Sequence, residues 1–261
     1  YKDIRKELEN KGYEFKSNSD TEVILASYLE YGYDCVKKFN GMWAFCIYDV
    51  QKKKLFLSRD RVGQKPLYYY FKNGKFIFSS EIKGILKHDI KKEISKDAID
   101  LYFSLGFIPA PYSIYKNIYK VEQRQSIIFD IEKKSIEKYY YYDWPNYTKV
   151  DDKVALKKEF DKLITDSVKL TAIADVPLGA FLSGGLDSST IVNYLKKFNK
   201  NINTYSIGFE GKFDETPNIN ILKNYFKTNH HHQYFEEKDF EEMLSDMFYY
   251  YDEPFSDCSM F

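Results

Sequence analysis

The residue types and spacing best suited to chemistry fall in Ala180-Phe181-Leu182-Ser183-Gly184-Gly185-Leu186-Asp187-Ser188-Ser189-Thr190. An apolar run ends in Ser-Gly-Gly, and a helical pattern starts at once. Two adjacent glycines allow a sharp turn and let bare N–H groups approach an anion. The helix behind them, with Ile191, Leu195 and Phe198 expected on one face, offers unpaired N–H groups and its positive dipole end to the same spot. Ser183, Ser188 and Ser189 add hydroxyl donors. The pattern predicts a phosphate cradle. A Gly-Gly turn leading into a capped helix is the plainer alternative.

What is missing narrows the kind of cradle. A Walker A loop needs Gly-Lys-Ser/Thr, and here Asp187 follows the glycines instead. A dinucleotide fingerprint needs three spaced glycines. A carboxylate beside a polyphosphate makes sense when Mg²⁺ sits between them, since that ion takes one or two carboxylates plus phosphate oxygens. The stretch therefore resembles the pyrophosphate-binding loop of enzymes that cleave ATP between its α and β phosphates and transfer AMP.

The elements that must position this loop come from an alternating pattern. Leu156, Phe160, Leu163, Ile164 and Val168 form a helical stripe. After it come a strand into Leu182, the loop, a helix to about residue 198, a strand over 202–209, a helix over 217–227, a strand over 231–236 and a helix over 239–250. This βαβαβ order predicts a parallel sheet with ligands at the carboxyl ends of its strands. Upstream the pattern is different. A short helix is expected over 3–11. Ser19-Asp20-Thr21-Glu22 reads as a capping box before a helix burying Val23, Ile24, Tyr28 and Leu29. Strands are expected over 42–50, 54–58, 66–72 and 75–80, with Asn73-Gly74 as a hairpin turn. Arg59-Asp60-Arg61-Val62-Gly63 reads as a solvated charged turn. A helix is expected over 81–86, and another capped by Ser95 and closed by Gly106. Phe107-Ile108-Pro109-Ala110-Pro111 reads as stiff and extended, and strands follow around 126–130 and 135–142. The domains are expected at 1–130 and 151–261, with 131–150 as a linker.

Composition excludes several classes. Lys+Arg and Asp+Glu each number 39, so no basic footprint points to nucleic acid. No apolar run is long enough to span a bilayer, and the start carries no signal-peptide pattern. Cys35, Cys46 and Cys258 are too few and too scattered for a disulfide framework, which favours a reducing, cytoplasmic compartment. Cys46 lies in an apolar run and is expected as buried filler. The chain opens on Tyr1 and runs directly into a helical pattern, so both ends are expected to be cut.

Taken together, the motifs resemble an internal piece of the glutamine-hydrolysing asparagine synthetase family over almost the whole chain. In the first half the resemblance rests on residues 19–25, Phe39-Asn40-Gly41-Met42-Trp43-Ala44-Phe45, residues 59–69, and Ser80-Glu81-Ile82-Lys83. Residues 106–111 are similar to the segment leading to the family's second domain. There it rests on Asp175-Val176-Pro177-Leu178-Gly179 and the loop, Ser206-Ile207-Gly208-Phe209, Phe213-Asp214-Glu215, His230-His231 and residues 252–257. The resemblance implies two folds. One is an α+β remnant of an N-terminal-nucleophile glutaminase domain with antiparallel sheets. The other is part of an α/β parallel-sheet synthetase domain of the ATP-pyrophosphatase type. The implied chemistry has two halves. An N-terminal cysteine, with its α-amine as base, releases ammonia from glutamine. ATP adenylates the β-carboxylate of aspartate, with Mg²⁺ helping pyrophosphate leave, and ammonia yields asparagine and AMP.

Carried over residue by residue, Asp20 matches the acid that grips the α-amino group of glutamine; an acid favoured by the helix dipole is the other reading. Phe181 and Ile207 match positions lining the adenine pocket. Ser183, Gly184, Gly185, Asp187, Ser188 and Ser189 match the pyrophosphate loop, with Asp187 as the Mg²⁺ ligand. Asp214 and Glu215 could approach the nucleotide or stand as solvated loop acids. His230 to His232 cannot all chelate one ion, because adjacent strand residues point to opposite faces. The nucleophilic cysteine and the early glutamine contacts would precede Tyr1, and the Ser-Gly-Glu-Gly-Ser-Asp-Glu segment would follow Phe261. No catalytic residue is therefore assigned, and the chain by itself is expected to catalyse neither half-reaction. Val121-Glu122-Gln123-Arg124 replaces a Leu-x-Pro-Gly turn, and His232 replaces a glutamate. A relative that adenylates another carboxylate, such as a β-lactam-forming synthetase, and a non-catalytic nucleotide-binding remnant stay open. Glutamine, aspartate and ATP are the implied partners. Quaternary state is also open, although the family often pairs into homodimers.

Overall fold

The structure, a computed structural model, describes residues 1–209 and 214–257. Phe213 and Cys258, singled out above, lie outside the described residues. The chain divides into two compact units. The first is Tyr1–Pro145 with the described residues from Met247 on, and the second is Asn146–Asp246. Among the described residues no helix is long and apolar enough to cross a membrane.

The first unit begins with α1 (Lys2–Glu9) and α2 (Asp20–Tyr31). Ser19 caps α2, its side chain accepting the Thr21 N–H at 3.1 Å. The second arm of the expected capping box does not form. Glu22 instead takes the N–H groups of Lys16 and Ser17, each at 2.8 Å. The chain entering the helix curls over its first turn and presents those donors ahead of Ser19. Strands β1 (Ala44–Asp49), β2 (Lys54–Arg59), β3 (Tyr68–Lys72) and β4 (Lys75–Ser79) follow. Asn73 and Gly74 turn the β3–β4 hairpin with φ of 51° and 74°, the double positive φ that a type I′ turn requires. Next come α3 (Ile82–Ile85), α4 (Lys96–Leu105), β5 (Ile118–Lys120), β6 (Gln125–Asp130) and β7 (Ser135–Tyr140). Gly106 closes α4 in the left-handed conformation at φ 78°.

Two antiparallel sheets result, ordered β1-β2-β6-β7 and β4-β3-β5. Because neighbouring strand residues face opposite ways, each sheet serves two layers. Phe56 and Ile128 pack toward the helical side with Tyr28, Val36, Phe39 and Trp43. Leu57 and Ile127 fill the space between the sheets with Leu67, Tyr69 and Val121. Tyr70, Ile77 and Ile118 face the other way, onto Ile82 and Ile85 of α3. The layers run helix, sheet, sheet, helix. Strand β5 was not expected: three residues carry too little periodicity to be read, and pairing with β3 defines it. The linker expected over 131–150 is also narrower, because β7 pairs along its whole length with β6. Tyr141 is then buried, its hydroxyl donating to the Arg59 carbonyl at 2.7 Å. Arg124 occupies the left-handed region at φ 56°, at the last position of the altered turn, and its N–H donates to the Asp60 carbonyl at 2.9 Å.

The second unit consists of α5 (Lys153–Thr171), β8 (Gly179–Phe181), α6 (Leu186–Leu195), β9 (Asn203–Phe209), α7 (Thr216–Phe226), β10 (Asn229–Phe235) and the greater part of α8 (Glu237–Tyr251). The sheet is parallel, ordered β10-β9-β8. Its core has two strips, Val168, Tyr194, Leu195 and Ile202 in one and Leu182, Val192 and Phe226 in the other. Helix α6 thus lies between α5 and α7 and buries Val192, Tyr194 and Leu195, while Ile191 and Phe198 stay exposed. A single buried face through Ile191, Leu195 and Phe198 is therefore corrected. The α5 stripe is likewise only partly used: Val168 is buried and Ile164 packs beside it, but Leu156, Phe160 and Leu163 are exposed.

Candidate functional site

The glycine loop leaves β8 from a fixed strand end. Leu182 is buried, its N–H donates to the Tyr205 carbonyl at 2.9 Å, and its own carbonyl accepts the Ser206 hydroxyl. Ser188 then ties the loop to the first turn of α6. Its Oγ accepts the Ser183 N–H at 3.1 Å and lies 2.9 Å from the Ser183 hydroxyl. Ser189 turns inward, donating to the carbonyls of Gly185 and Leu186 at 2.8 and 2.9 Å. Its hydroxyl hydrogen is thus engaged by the helix rather than offered to a ligand.

The glycines work through their missing side chains. Neither has a positive φ, and Gly185 is extended at φ −85°, ψ 166°. A Cβ on Gly184 would stand 2.7 Å from Cβ of Asn218 and 3.3 Å from the Glu215 carbonyl, so glycine lets the start of α7 close on the loop. A Cβ on Gly185 would meet only the Ser183 hydroxyl, at 3.4 Å. That side of the loop is open. Helix α6 starts at Gly185 with no side-chain cap, which leaves its first-turn N–H groups unclaimed by any side chain. Asp187 is exposed in that first turn. Bare donors, a helix dipole and one carboxylate make a helix start chemically suited to a metal-bound polyphosphate.

Phe181 and Ile207 share one face of the sheet, since Phe181 pairs with Tyr205 and Ile207 lies two residues on. They are 80% and 40% exposed, opposite the strip of small buried residues Thr204 and Ser206. Asp214, one residue before the N-cap Glu215, braces the start of α7, its Oδ1 accepting the Thr216 N–H at 3.0 Å as well as the Thr216 hydroxyl. Those bonds hold its carboxyl below the ordinary aspartate range. At Glu215 it is main chain and Cβ that would crowd a side chain at Gly184. The three histidines split as the strand pleat requires. His231 stacks on Tyr205, with ring centroids 4.8 Å apart, while His230 bonds Thr204 and His232 lies near Thr216. Among the described residues no group of three or more His, Cys, Asp or Glu side chains could hold a metal. A lone Asp187 fits an ion that arrives with phosphate oxygens.

In the first unit, Asp20 lines a cavity of about 410 Å³ with residues of α2, the stretch 42–47, Lys65, Pro66 and Ser80. The turn before Lys65 corrects an expectation. Asp60 is not solvated but fully buried. Its carboxylate accepts N–H groups of Trp43, Val62, Gln64 and Lys65 at 3.4, 3.2, 2.9 and 3.0 Å. Arg59 reinforces it by donating to the carbonyls of Lys65, Val121 and Gly63 at 2.8, 2.6 and 2.7 Å. Both main-chain polar groups of Lys65 are therefore clamped at the cavity wall. Cys46 also lines the cavity, but burial pushes its thiol up to about 12, which leaves no thiolate nucleophile at neutral pH. Burial does the same to Cys35.

A family model for the glutamine amidotransferase domain matches residues 1–141, more than half of the chain. The chain belongs to this family. A second model, for asparagine synthase, matches residues 159–261. A putative glutamine-hydrolysing asparagine synthetase 2 of Methanocaldococcus jannaschii is 57% identical over 95% of this chain and 49% of its own length. Asparagine synthetase 3 of Bacillus subtilis is 35% identical over 94% of this chain and 42% of its own. Asparagine synthetase B of Escherichia coli is 28% identical over 91% and 40%. The chain thus spans no more than half the length of these relatives. In the amidotransferase part the sequence signal for the Asp60 clamp was present, as a short acid followed by Val62 and Gly63. It reads the same as an exposed Asx turn until burial is known.

Proposed function

We propose that the protein carrying this chain makes asparagine from aspartate in an ATP-dependent reaction, through a β-aspartyl-AMP intermediate and with ammonia from glutamine. The observation that carries the reading is the uncapped start of α6, placed at the carboxyl end of β8 with Asp187 in its first turn. Ser183, Gly184 and Gly185 form the wall against which the leaving diphosphate binds, and Ser188 and Ser189 hold that wall in shape. Phe181 and Ile207, on one sheet face, receive the adenine. Mg²⁺, bound with the nucleotide beside Asp187, supplies neutralising charge for pyrophosphate. A carboxylate resists attack by ammonia, whereas its mixed anhydride with AMP has a good leaving group. That is the reason an activating site and an ammonia-producing domain belong in one protein.

In the amidotransferase part, Asp20, which lines the cavity of about 410 Å³, takes the α-ammonium of glutamine. The three scattered cysteines, with no pairing pattern in the sequence, support a reducing, cytoplasmic setting, and the family resemblance supports a homodimer. The test is an assay of the full-length gene product for pyrophosphate and AMP release that depends on aspartate and on glutamine or ammonia. Release of ADP and phosphate instead would refute adenylation, and turnover with another carboxylic acid in place of aspartate would refute the acceptor.

A further inference from the structure

The described residues from Met247 on fold with the first unit, although the chain between them and Pro145 makes the second. The chain therefore passes between units twice, after Pro145 and after Asp246. The return is secured by one turn. Asp252 has φ 62°, a left-handed conformation that aspartate tolerates better than most residues, and it sends adjacent carboxylates to different lysines. Asp252 Oδ2 accepts the Lys83 main-chain N–H at 3.2 Å, and Oδ1 lies 3.4 Å from Lys83 Nζ. Glu253 Oε1 pairs with Lys120 Nζ, and Oε2 accepts the Ile114 N–H at 3.3 Å. Lys120 Nζ also donates to the Ile108 carbonyl, and the Ser256 N–H donates to the Gly106 carbonyl at 2.8 Å.

This pair is nearly dry: the side chains of Lys120 and Glu253 keep 14% and 11% of their exposure. Burial pushes the Glu253 carboxyl above its ordinary range in spite of the lysine. Such a pair is weak evidence for stability, because apolar side chains of similar volume often do as well or better. Its distinctive contribution is register, since it selects which turn docks and in which orientation. The lysines fall within the amidotransferase match and the carboxylates within the asparagine synthase match.

We infer that the Asp252–Glu253 turn is a two-lysine anchor that couples glutamine hydrolysis to amide formation, with Lys120 and Glu253 as positioning residues. The inference rests on the function proposed above. Without the anchor the two parts stay joined through the first crossing, while the returning segment keeps contacts such as the Ser256–Gly106 bond but loses the register that the two carboxylates set. Each half-reaction then runs while ammonia is lost between them.

The test uses the full-length protein with Glu253→Gln, Lys120→Met and the double replacement Lys120→Met/Glu253→Leu. The double variant removes both charges without stranding either in the interior. Three rates are measured: glutamate release, ammonia-dependent asparagine formation and glutamine-dependent asparagine formation. The expected result is a rise of about fivefold or more in glutamate released per asparagine, the lower end of usual coupling between sites, with the ammonia-dependent rate within about twofold. An unchanged ratio in the folded double variant overturns the anchor. So does an equal loss of all three rates in it. Hydrogen exchange provides a readout independent of activity: the amides of Lys83, Ile114 and Ser256 exchange faster in both single variants. Unchanged exchange there overturns the anchor even if the wild-type protein releases no pyrophosphate, an outcome that by itself refutes only the functional reading.

Discussion

Asp60 of the first unit is fully buried and takes four main-chain N–H groups, whereas Asp187 of the second lies exposed on an uncapped helix start. Both come shortly after a strand, Asp60 in the turn after β2 and Asp187 in the first turn of the helix after β8, yet they do different work. Asp60 spends its acceptor capacity on its own loop, and the result is a rigid wall for the cavity at Asp20. Around Asp187 the loop is held by others, chiefly the Ser188 hydroxyl and the close approach of α7 at Gly184. That leaves the carboxylate and the first-turn N–H groups free for a ligand. A site that must shape a cavity invests its charge internally, and a site that must receive charge keeps its own uncommitted.

The comparison breaks first at the two aspartates. Asp60→Ala should destabilise the first unit by about 3 kcal/mol or more, because several buried donors lose a charged acceptor together. Asp187→Asn should change stability by less than about 0.5 kcal/mol, as exposed substitutions usually do. It should still weaken Mg²⁺-dependent ATP turnover of the full-length protein at least about tenfold, with glutamine hydrolysis intact. Urea unfolding of this chain and the two activity assays separate the cases. If Asp187→Asn proves as destabilising as Asp60→Ala, the contrast between committed and uncommitted acids is wrong.

The glycines sharpen the same contrast inside one loop. Gly184→Ala forces a Cβ to 2.7 Å from Cβ of Asn218, and such overpacking costs about 1–3 kcal/mol. Gly185→Ala meets only a hydroxyl at 3.4 Å and occupies an extended conformation open to any residue, so stability should barely move. Its methyl group points into the open side, and nucleotide affinity should fall. Thermal unfolding with and without MgATP reads both. Equal destabilisation by the two variants would show that Gly185 too is there for packing.

What the sequence could carry was the local part. The βαβαβ order, the loop at the end of β8 and the Asn73-Gly74 hairpin depend on contacts between near neighbours, and each has a compositional signature. The sides of α5 and α6 were legible as periodic but not as buried or exposed, because period says nothing of what lies opposite. Leu156, Phe160 and Leu163 repeat at helical spacing and remain exposed all the same. The anchor at Glu253 was out of reach for another reason. Its partner Lys120 lies on β5, a strand too short to be read. The Ser183–Asp187 stretch was legible in composition, and its glycines act through the absence of a Cβ, neither of them at a positive φ.

The smallest effect separates the units by pH. Asp214 accepts two bonds from Thr216, and its folded carboxyl lies below the ordinary value of 3.8. The unfolded chain then binds the proton more readily, so its contribution is complete above the ordinary value and is lost as pH falls through the folded one. Glu253 in the first unit runs the other way. Burial holds its folded carboxyl above 4.5, the native state binds the proton more readily, and its contribution falls as pH rises from 4.5 through the folded value. Asp214→Asn should therefore flatten the acid side of the second unit's stability profile below pH 3.8, and Glu253→Gln should flatten the first unit's profile above pH 4.5. Hydrogen exchange followed separately at buried amides of β9 and of β6 reads each unit against pH. Asp161 of the same unit is also held below its ordinary value, by Tyr194 and Lys197, so part of the slope remains. A slope undiminished by Asp214→Asn would show that the bonds from Thr216 to Asp214 contribute nothing to stability.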